Sequence, residues 1–270
     1  MKYQYDCVII GAGIAGMTAA LYLKRGGFKI AIIDKGAPGG ILNSIPLIEN
    51  YPGFKSISGP DLAYNVFEQI KDVEFKYGNV LKIKDNIITT DIEEISANKI
   101  IIATGRTPKK ITEEKYQNLS YCALCDANFY KDKTVALIGD SLEDIKYLAN
   151  ICKEVIVIGK ANLKKENVKV YNERITKINA KDGIIYEIET NKNKHKIEGL
   201  FSCIGYEPSM EFLADIKKDN NYIIVSDTMQ TSVPYIYACG DIIKKEVYQI
   251  STAIGEATQA AISVKKSIKK

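Results

Sequence analysis

An α/β protein made of two parallel-sheet domains, the second inserted in the first and shortened, is what this sequence predicts. Three observations predict it. A strand-like run that breaks into glycine before a helix-patterned stretch occurs twice, at residues 6–11 and 133–139. Two strand ends of similar pattern, each closing on glycine, Ile100-Ile-Ile-Ala-Thr-Gly105 and Leu200-Phe-Ser-Cys-Ile-Gly205, follow, one behind each of these units. The length of 270 residues suits two domains of ordinary size and allows a substantial core.

Asp6-Cys-Val-Ile-Ile-Gly11 is a short apolar run of the buried-strand type, and Gly11-Ala-Gly13-Ile14-Ala15-Gly16 ends it. Met17 to Lys24 reads as a helix, and Phe28 to Ile33 as a second strand ending in Asp34. Strand, glycine turn, helix, strand and acid make the first unit of a Rossmann-like dinucleotide-binding sheet. Its glycines let the backbone turn tightly, approach a pyrophosphate and pack helix on strand, while the helix N-terminus offers partial positive charge to phosphates. Asp34, about 20 residues beyond the turn, is placed to accept a ribose hydroxyl. The same glycine spacing also marks ordinary tight turns. Here the strand, helix and acid fall in register, which favours a nucleotide site without separating FAD from NAD.

The second unit runs from Lys133-Thr-Val-Ala-Leu-Ile-Gly139 through a helix-like Leu142 to Cys152 and a strand, Glu154 to Ile158. Toward the C-terminus come Tyr235-Ile-Tyr-Ala-Cys-Gly240-Asp241 and a helix pattern from Ile250 to Ile268. These elements divide the chain into a discontinuous domain, residues 1–107 and 208–270, and an inserted domain, 108–207.

Composition excludes several classes of function. The formal charge of +4 arises from 37 basic against 33 acidic residues, a solvated surface with no nucleic-acid signature. No apolar run reaches the roughly 18 residues of a membrane span, so a soluble, cytoplasmic protein is expected. Of six cysteines, only Cys122 and Cys125 are closely spaced. In a cytosolic protein such a pair is redox-active or metal-binding more often than a structural staple. Zinc needs two further ligands, yet His195 is the single histidine and no second close pair exists, so no metal is expected. A helix start can bring both sulfurs within bonding distance and stabilise a thiolate, which suits dithiol exchange. Cys7, Cys152, Cys203 and Cys239 read as buried thiols. Asp126, beside the pair, is placed to cap the following helix.

Gly39-Gly40, Glu49-Asn50-Tyr-Pro-Gly53, Ala103-Thr104-Gly105, Cys122-Ala-Leu-Cys125-Asp126, Gly240-Asp241 and Gln249-Ile250-Ser-Thr-Ala253 occur in the order of the low-molecular-weight thioredoxin reductases. The chain resembles that family over nearly its whole length. The resemblance implies bound FAD, with Asn50 and Gln249 near the isoalloxazine ring, Asp241 on the ribityl chain and the backbone around Ala253 at the ring edge. It also implies a redox disulfide between Cys122 and Cys125, Asp126 as the acid that serves it, thioredoxin as electron acceptor, and a homodimer.

The second unit departs from that pattern. Its turn reads Gly139-Asp-Ser141-Leu-Glu-Asp144, so Ser141 replaces the glycine that admits a pyrophosphate, and Asp140, Glu143 and Asp144 crowd the helix start. Acids there suit the helix dipole when no anion binds and repel a phosphate when one must. Gly159-Lys160-Ala161 stands where NADPH-dependent members carry an arginine cluster. The segment is also shorter than the family's NADPH domain. The pattern resembles most nearly the ferredoxin-dependent flavin thioredoxin reductases, which implies a reduced ferredoxin as donor, steered by lysines 109, 110, 131, 133, 244 and 245. Two alternatives remain: an NADPH-dependent thioredoxin reductase with a divergent working pocket, and a flavin redox sensor that uses the cysteine pair without turnover.

Overall fold

Short β-branched runs supply the strands, and small or amphipathic stretches between them supply the helices. The computed structural model describes residues 3–45, 47–208, 210, 212 and 215–268, with Cys125 by its backbone alone. In chain order, β1 (Tyr5–Ile10), α1 (Ile14–Arg25), β2 (Ile30–Asp34), α2 (Gly59–Glu68), β3 (Glu74–Tyr77), β4 (Val80–Lys84), β5 (Ile87–Thr90), β6 (Glu94–Ile102) and β7 (Arg106–Pro108) come first. Next are β8 (Leu119–Ser120), α3 (Ala123–Asp126), β9 (Thr134–Ile138), α4 (Leu142–Ala149), β10 (Glu154–Ile158) and β11 (Val168–Tyr171). The chain continues with β12 (Ile175–Lys181), β13 (Ile184–Thr190), β14 (Lys194–Lys196), β15 (Gly199–Ser202), β16 (Tyr206–Pro208), β17 (Lys218–Asp219), β18 (Tyr222–Ile223), β19 (Ile236–Ala238) and α5 (Ile250–Ser267).

The described residues form two compact units, one up to Thr107 and again from Glu207, the other Pro108–Tyr206. In the first, a sheet ordered β3-β2-β1-β6-β5-β4 takes β19 beside β6. The strands β3, β2, β1, β6 and β19 run parallel, so β1 is buried on both faces and reads as an unbroken apolar run. On one side α1 and α5 share an apolar cluster rich in small residues, Ala15, Ala19 and Ala20 with Ala257, Ala260 and Ala261. Small side chains permit close helix approach.

The second unit has a parallel sheet ordered β11-β10-β9-β15-β8 and a separate antiparallel sheet, β12-β13-β14. Its core gathers Leu137, Ile145, Leu148, Val155, Val157 and Phe201 around β9, α4 and β10. No helix among the described residues is long and apolar enough to cross a membrane.

Element ends differ from the sequence expectation in instructive ways. Helix α1 begins at Ile14 rather than Met17, because Met17 N–H already bonds the Gly13 carbonyl at 3.0 Å. The start of α1 thus lies inside the glycine turn. Helix α4 stops at Ala149 rather than Cys152, where the N–H groups of Ile151 and Cys152 both fall on the Leu148 carbonyl.

Candidate functional site

The first unit builds a notch where β1 gives way to α1. Gly11 takes φ +103°, and its N–H bonds the Ile33 carbonyl at 2.8 Å, tying the turn to the end of β2. A side chain on Gly11 would strike the Ala103 carbonyl, so only glycine serves there. A Cβ on Gly13, in contrast, would meet nothing within 4 Å. That open face is the approach a pyrophosphate needs. Asp34 at the end of β2 reaches back over the notch: its Oδ2 accepts the Ala12 N–H at 2.6 Å and its Oδ1 accepts the Gly36 N–H at 2.8 Å. Gly39 forms a bridge with Gly13, and the 3-10 turn that starts at Gly40 follows. Ala15 and Gly16 are buried behind the notch, and Ile14 is partly buried beside them. Ala103, Thr104 and Gly105 lie just beyond the end of β6, with Ala103 N–H on the Ile10 carbonyl at 2.7 Å.

The residues expected near a flavin ring come together from far apart in sequence. Asn50 Nδ2 donates to Gln249 Oε1 at 3.1 Å across 199 residues. Gln249 precedes α5, and the Ala253 N–H bonds its carbonyl at 3.0 Å, which places Ile250 in the first turn. Gly240 and Asp241 form a 3-10 turn after β19.

Around Asp241 the structure reveals partners that the sequence did not announce. Lys245 Nζ lies 3.2 Å from Asp241 Oδ1 but gives its hydrogen bonds to Glu256, at 3.1 and 2.9 Å. Glu256 Oε2 also accepts the Gly240 N–H at 3.0 Å. Burial raises the Glu256 carboxyl above the usual carboxylate range, against the pull of Lys245. Arg106 Nε stands 3.4 Å from Asp241 Oδ2, and its guanidinium lies over the Tyr248 ring at 3.9 Å. Among the described residues Asp241 Oδ1, buried and ion-paired with Lys245, accepts no hydrogen bond. Such an atom calls for a donor. A ribityl hydroxyl supplies one, and with the open Gly13 face and the Asp34 carboxylate it makes these residues fit FAD. No spacing rule links Lys245 or Glu256 to Gly240; their signal exists only after folding.

In the second unit Cys122 is disulfide-bonded and lies just ahead of α3, while Cys7, Cys152, Cys203 and Cys239 are free thiols. Cys125 falls within α3 by its backbone, and its side chain lies outside the described residues. Asp126 ends α3. It makes no side-chain cap to the 3-10 turn that follows, so the capping role open to it in the sequence is not taken. Burial raises its carboxyl above the usual range, with a hydrogen bond from Ser120 pulling the other way. A carboxyl held protonated longer than usual is suited to proton transfer.

A cavity of about 230 Å³ adjoins the disulfide, lined by Cys122, Leu124, Ser141, Asp144, Cys203 and Tyr206 among others. Cys203 corrects an expectation. It is half-buried and faces this cavity instead of being sealed in the core, because it leaves β15 at the strand end rather than mid-strand. Its thiol is nonetheless pushed up to about 12, by burial first and then by the Asp144 carboxylate, which leaves it a poor nucleophile.

The second glycine turn is occupied by the chain's own polar groups. Ser141 caps α4 by accepting the Asp144 N–H at 3.3 Å, and Asp140 Oδ1 accepts the Lys160 N–H at the end of β10. Of the lysines expected to form a steering patch, Lys245 is only 10% exposed and engaged as described, Lys244 pairs with Asp219 at 3.2 Å and Lys110 with Glu113 at 3.0 Å, while Lys109, Lys131 and Lys133 are exposed.

Over residues 5–257 the chain matches the family described as Pyridine nucleotide-disulphide oxidoreductase. The chain belongs to that family. Within it, the chain is similar to a thioredoxin reductase from Bacillus subtilis, 32% identical over 295 residues that cover 96% of this chain and 93% of the relative. Among solved structures it is similar to thioredoxin reductase from Streptococcus pyogenes, at TM-score 0.81 and 32% identity over 96% of each chain. A ferredoxin-flavin thioredoxin reductase from Clostridium acetobutylicum matches at TM-score 0.56 and 25% identity, over 97% of each chain. A flavin-dependent thioredoxin reductase of this family, with FAD as cofactor, accounts for both the fold and the notch chemistry.

Proposed function

We propose that the chain reduces thioredoxin through a Cys122–Cys125 disulfide served by FAD in the first unit. The observation that carries this reading is a disulfide-bonded Cys122 at the start of a helix that ends in Asp126, a carboxyl with a raised pKa. FAD, once bound and reduced by the donor, would supply two electrons to the disulfide. Gly11, Gly13, Ile14, Ala15 and Gly16 would hold its pyrophosphate, Asp34 its ribose, and Asp241 its ribityl chain. Asn50, Gln249, Ile250 and Ala253 would border the ring, with Gly39, Gly40, Ala103, Thr104, Gly105 and Gly240 completing the cradle. Asp126 donates a proton as a thiolate leaves and recovers it when the disulfide re-forms. One thiolate of the reduced pair attacks a thioredoxin sulfur and releases the other thioredoxin sulfur as thiolate; the second thiolate then resolves the mixed disulfide. The homodimer and cytoplasmic setting rest on resemblance.

The donor is a finer question, on which the comparisons favour a pyridine nucleotide over a ferredoxin. The family match extends through the whole second unit, and the thioredoxin reductase from Streptococcus pyogenes matches at a higher TM-score than the ferredoxin-flavin thioredoxin reductase, 0.81 against 0.56. The engaged state of Lys110, Lys244 and Lys245 weakens the steering patch that a ferredoxin reading needs. A reduced ferredoxin is kept as the second reading on one specific observation, the Asp140 carboxylate seated on Lys160 N–H in the second turn. Anaerobic reduction of the flavin by NADH, NADPH and reduced ferredoxin, each followed by oxidised thioredoxin, tests both. Flavin bleaching by a nucleotide with thioredoxin dithiol as product supports the reading. Bleaching by ferredoxin alone transfers the donor role to it, and no thioredoxin dithiol under any reductant refutes the reductase.

A further inference from the structure

The turn that delivers Cys122 to the start of α3 closes on one buried hydroxyl. Ser120 ends β8, paired in register with Phe201 of β15, and is only 4% exposed. Its Oγ accepts the Cys122 N–H at 3.1 Å and donates to the Cys122 carbonyl at 3.2 Å. That carbonyl also accepts the Asp126 N–H at 3.2 Å, the bond that opens α3. A further hydrogen bond joins the Ser120 hydroxyl to the Asp126 carboxyl. Cys122 and Asp126 are thus both held from one oxygen.

Half of this arrangement is ordinary turn chemistry. Thr231 makes the same two bonds with Val233, accepting its N–H at 3.1 Å and donating to its carbonyl at 3.3 Å, and its third partner is the Ile236 carbonyl at 3.0 Å. The third partner of Ser120 is instead a group that titrates. A hydroxyl carries one proton, so Ser120 donates to the Cys122 carbonyl or to Asp126, not fully to both. While Asp126 is protonated, the Ser120 proton is free for the carbonyl. Once Asp126 has given its proton to a leaving thiolate, the carboxylate is the stronger acceptor and the hydroxyl turns to it. No O–H bond breaks at Ser120; only the direction of donation changes. Burial and this hydroxyl are the two influences on the Asp126 carboxyl. Its titratable neighbour is Tyr130, with Lys133 over the ring at 5.7 Å; burial raises the Tyr130 phenol, which stays protonated while the carboxyl titrates. The Cys203 thiol, with Asp144 beside it, meets α3 at the Ala123 N–H, the opposite end from Asp126.

On the reductase reading of the Cys122–Cys125 pair, we propose that Ser120 is a positioning residue for the disulfide step. Its hydroxyl holds the Cys122 backbone while Asp126 keeps its proton, and turns to steady the Asp126 carboxylate when that proton has gone to sulfur. The test compares the FAD-loaded natural protein with Ser120→Ala and with Ser120→Thr, a residue that the Thr231 turn shows to fit these bonds. Two quantities are followed across pH: the ¹³C shift of the Asp126 carboxyl in aspartate-labelled protein, assigned by its loss in Asp126→Asn, and the rate at which dithionite-reduced protein reduces thioredoxin. In Ser120→Ala the carboxyl should titrate at higher pH than in the natural protein, because its charged form has lost a donor, and the declining limb of the rate should move up with it. Below that limb Ser120→Ala should be about tenfold slower, as a mispositioned reacting group is. Ser120→Thr should titrate as the natural protein does and recover most of the rate. A carboxyl that titrates at the same pH in Ser120→Ala, even with a lowered rate, marks a serine that only closes the turn and overturns the proposal, as does a threonine variant that titrates like the alanine one. Those failures leave thioredoxin reduction by the natural protein intact, whereas a natural protein that reduces no thioredoxin overturns the reductase reading and the disulfide role of Ser120 with it.

Discussion

The Gly11 notch and the Gly139 notch have the same turn, the same strand-end bond and opposite chemistry. The first keeps Gly13 open and anchors its acid on β2, so the space above the helix start is free for a pyrophosphate. The second fills that place with Ser141 as a cap and Asp140 as a brace. Backbone frame and ligand chemistry are thus separable properties. A duplicated strand-glycine-helix pattern announces the frame twice, while a few side chains decide what each copy can hold.

The division of labour between the units is broken most completely at the disulfide. Cys122→Ser should lower thioredoxin reduction by about ten-thousand-fold or more, as loss of a covalent nucleophile does. The first notch is untouched, so FAD content and the rate of flavin reduction should stay near those of the natural protein. Steady-state assay with thioredoxin, together with the flavin absorbance of the purified variant, checks both halves. A variant that turned over at a tenth of the natural rate would remove Cys122 from the chemistry.

A matched pair of substitutions sharpens the comparison directly. Gly11→Ala and Gly139→Ala each place a Cβ against a carbonyl at positive φ, +103° and +133°. Each should therefore destabilise its own unit by on the order of 1–3 kcal/mol. Only Gly11→Ala should also shed FAD, since the second notch does not hold it. Urea melts give the first quantity and bound-flavin ratios the second. Equal flavin loss in the two variants would mean that the notches are not functionally distinct.

Asp126 gives a smaller, pH-dependent effect. Its carboxyl titrates above the usual range because burial disfavours the charged form. The acid needed to protonate a leaving thiolate is thus present at low pH and lost as pH rises through the raised value, so thioredoxin reduction should decline along that limb. Asp126→Asn should be slower by about a hundredfold and lack the limb. The stability sign follows from the same shift. A folded state that holds the proton to higher pH than the unfolded chain loses stability as pH rises through that window, and Asn should abolish this slope. A natural protein whose rate is flat across the window would sink the assignment.

How much of this was legible in the sequence follows the range of each interaction. Gly11, Gly13 and Asp34 announce themselves because one supersecondary unit contains them all, and the cysteine spacing is visible for the same reason. The Asn50–Gln249 hydrogen bond is announced by no spacing, since its partners stand 199 residues apart; the family resemblance implies only that each lies near a flavin ring. Glu256 and Lys245 were missed or misread: Glu256 looks like any acid on a long helix, and Lys245 like a surface lysine, until the fold sets both against the Gly240 turn. Cys203 looked like a core thiol because its apolar neighbours hide the fact that β15 ends one residue earlier. The β12-β13-β14 sheet carries no chemical motif, and its mixed polar pattern gave nothing to single out.

The smallest expected effect tests whether the second turn is organised for the helix rather than for a phosphate. Ser141 Oγ accepts the Asp144 N–H, and Glu143 and Asp144 occupy the first turn of α4, where carboxylates favour the positive end of the helix dipole. If that capping is the residue's main role, Ser141→Ala should destabilise the second unit by about 1 kcal/mol. Ser141→Gly should lose only a few tenths, because glycine itself caps tolerably and frees the turn. Neither change should alter FAD content, since the cofactor notch belongs to the other unit. Denaturant midpoints for the two variants, read with a probe in the second unit, separate the outcomes. A Ser141→Ala protein as stable as its parent, or a Ser141→Gly protein less stable than Ser141→Ala, would show that the serine is there for something other than the helix.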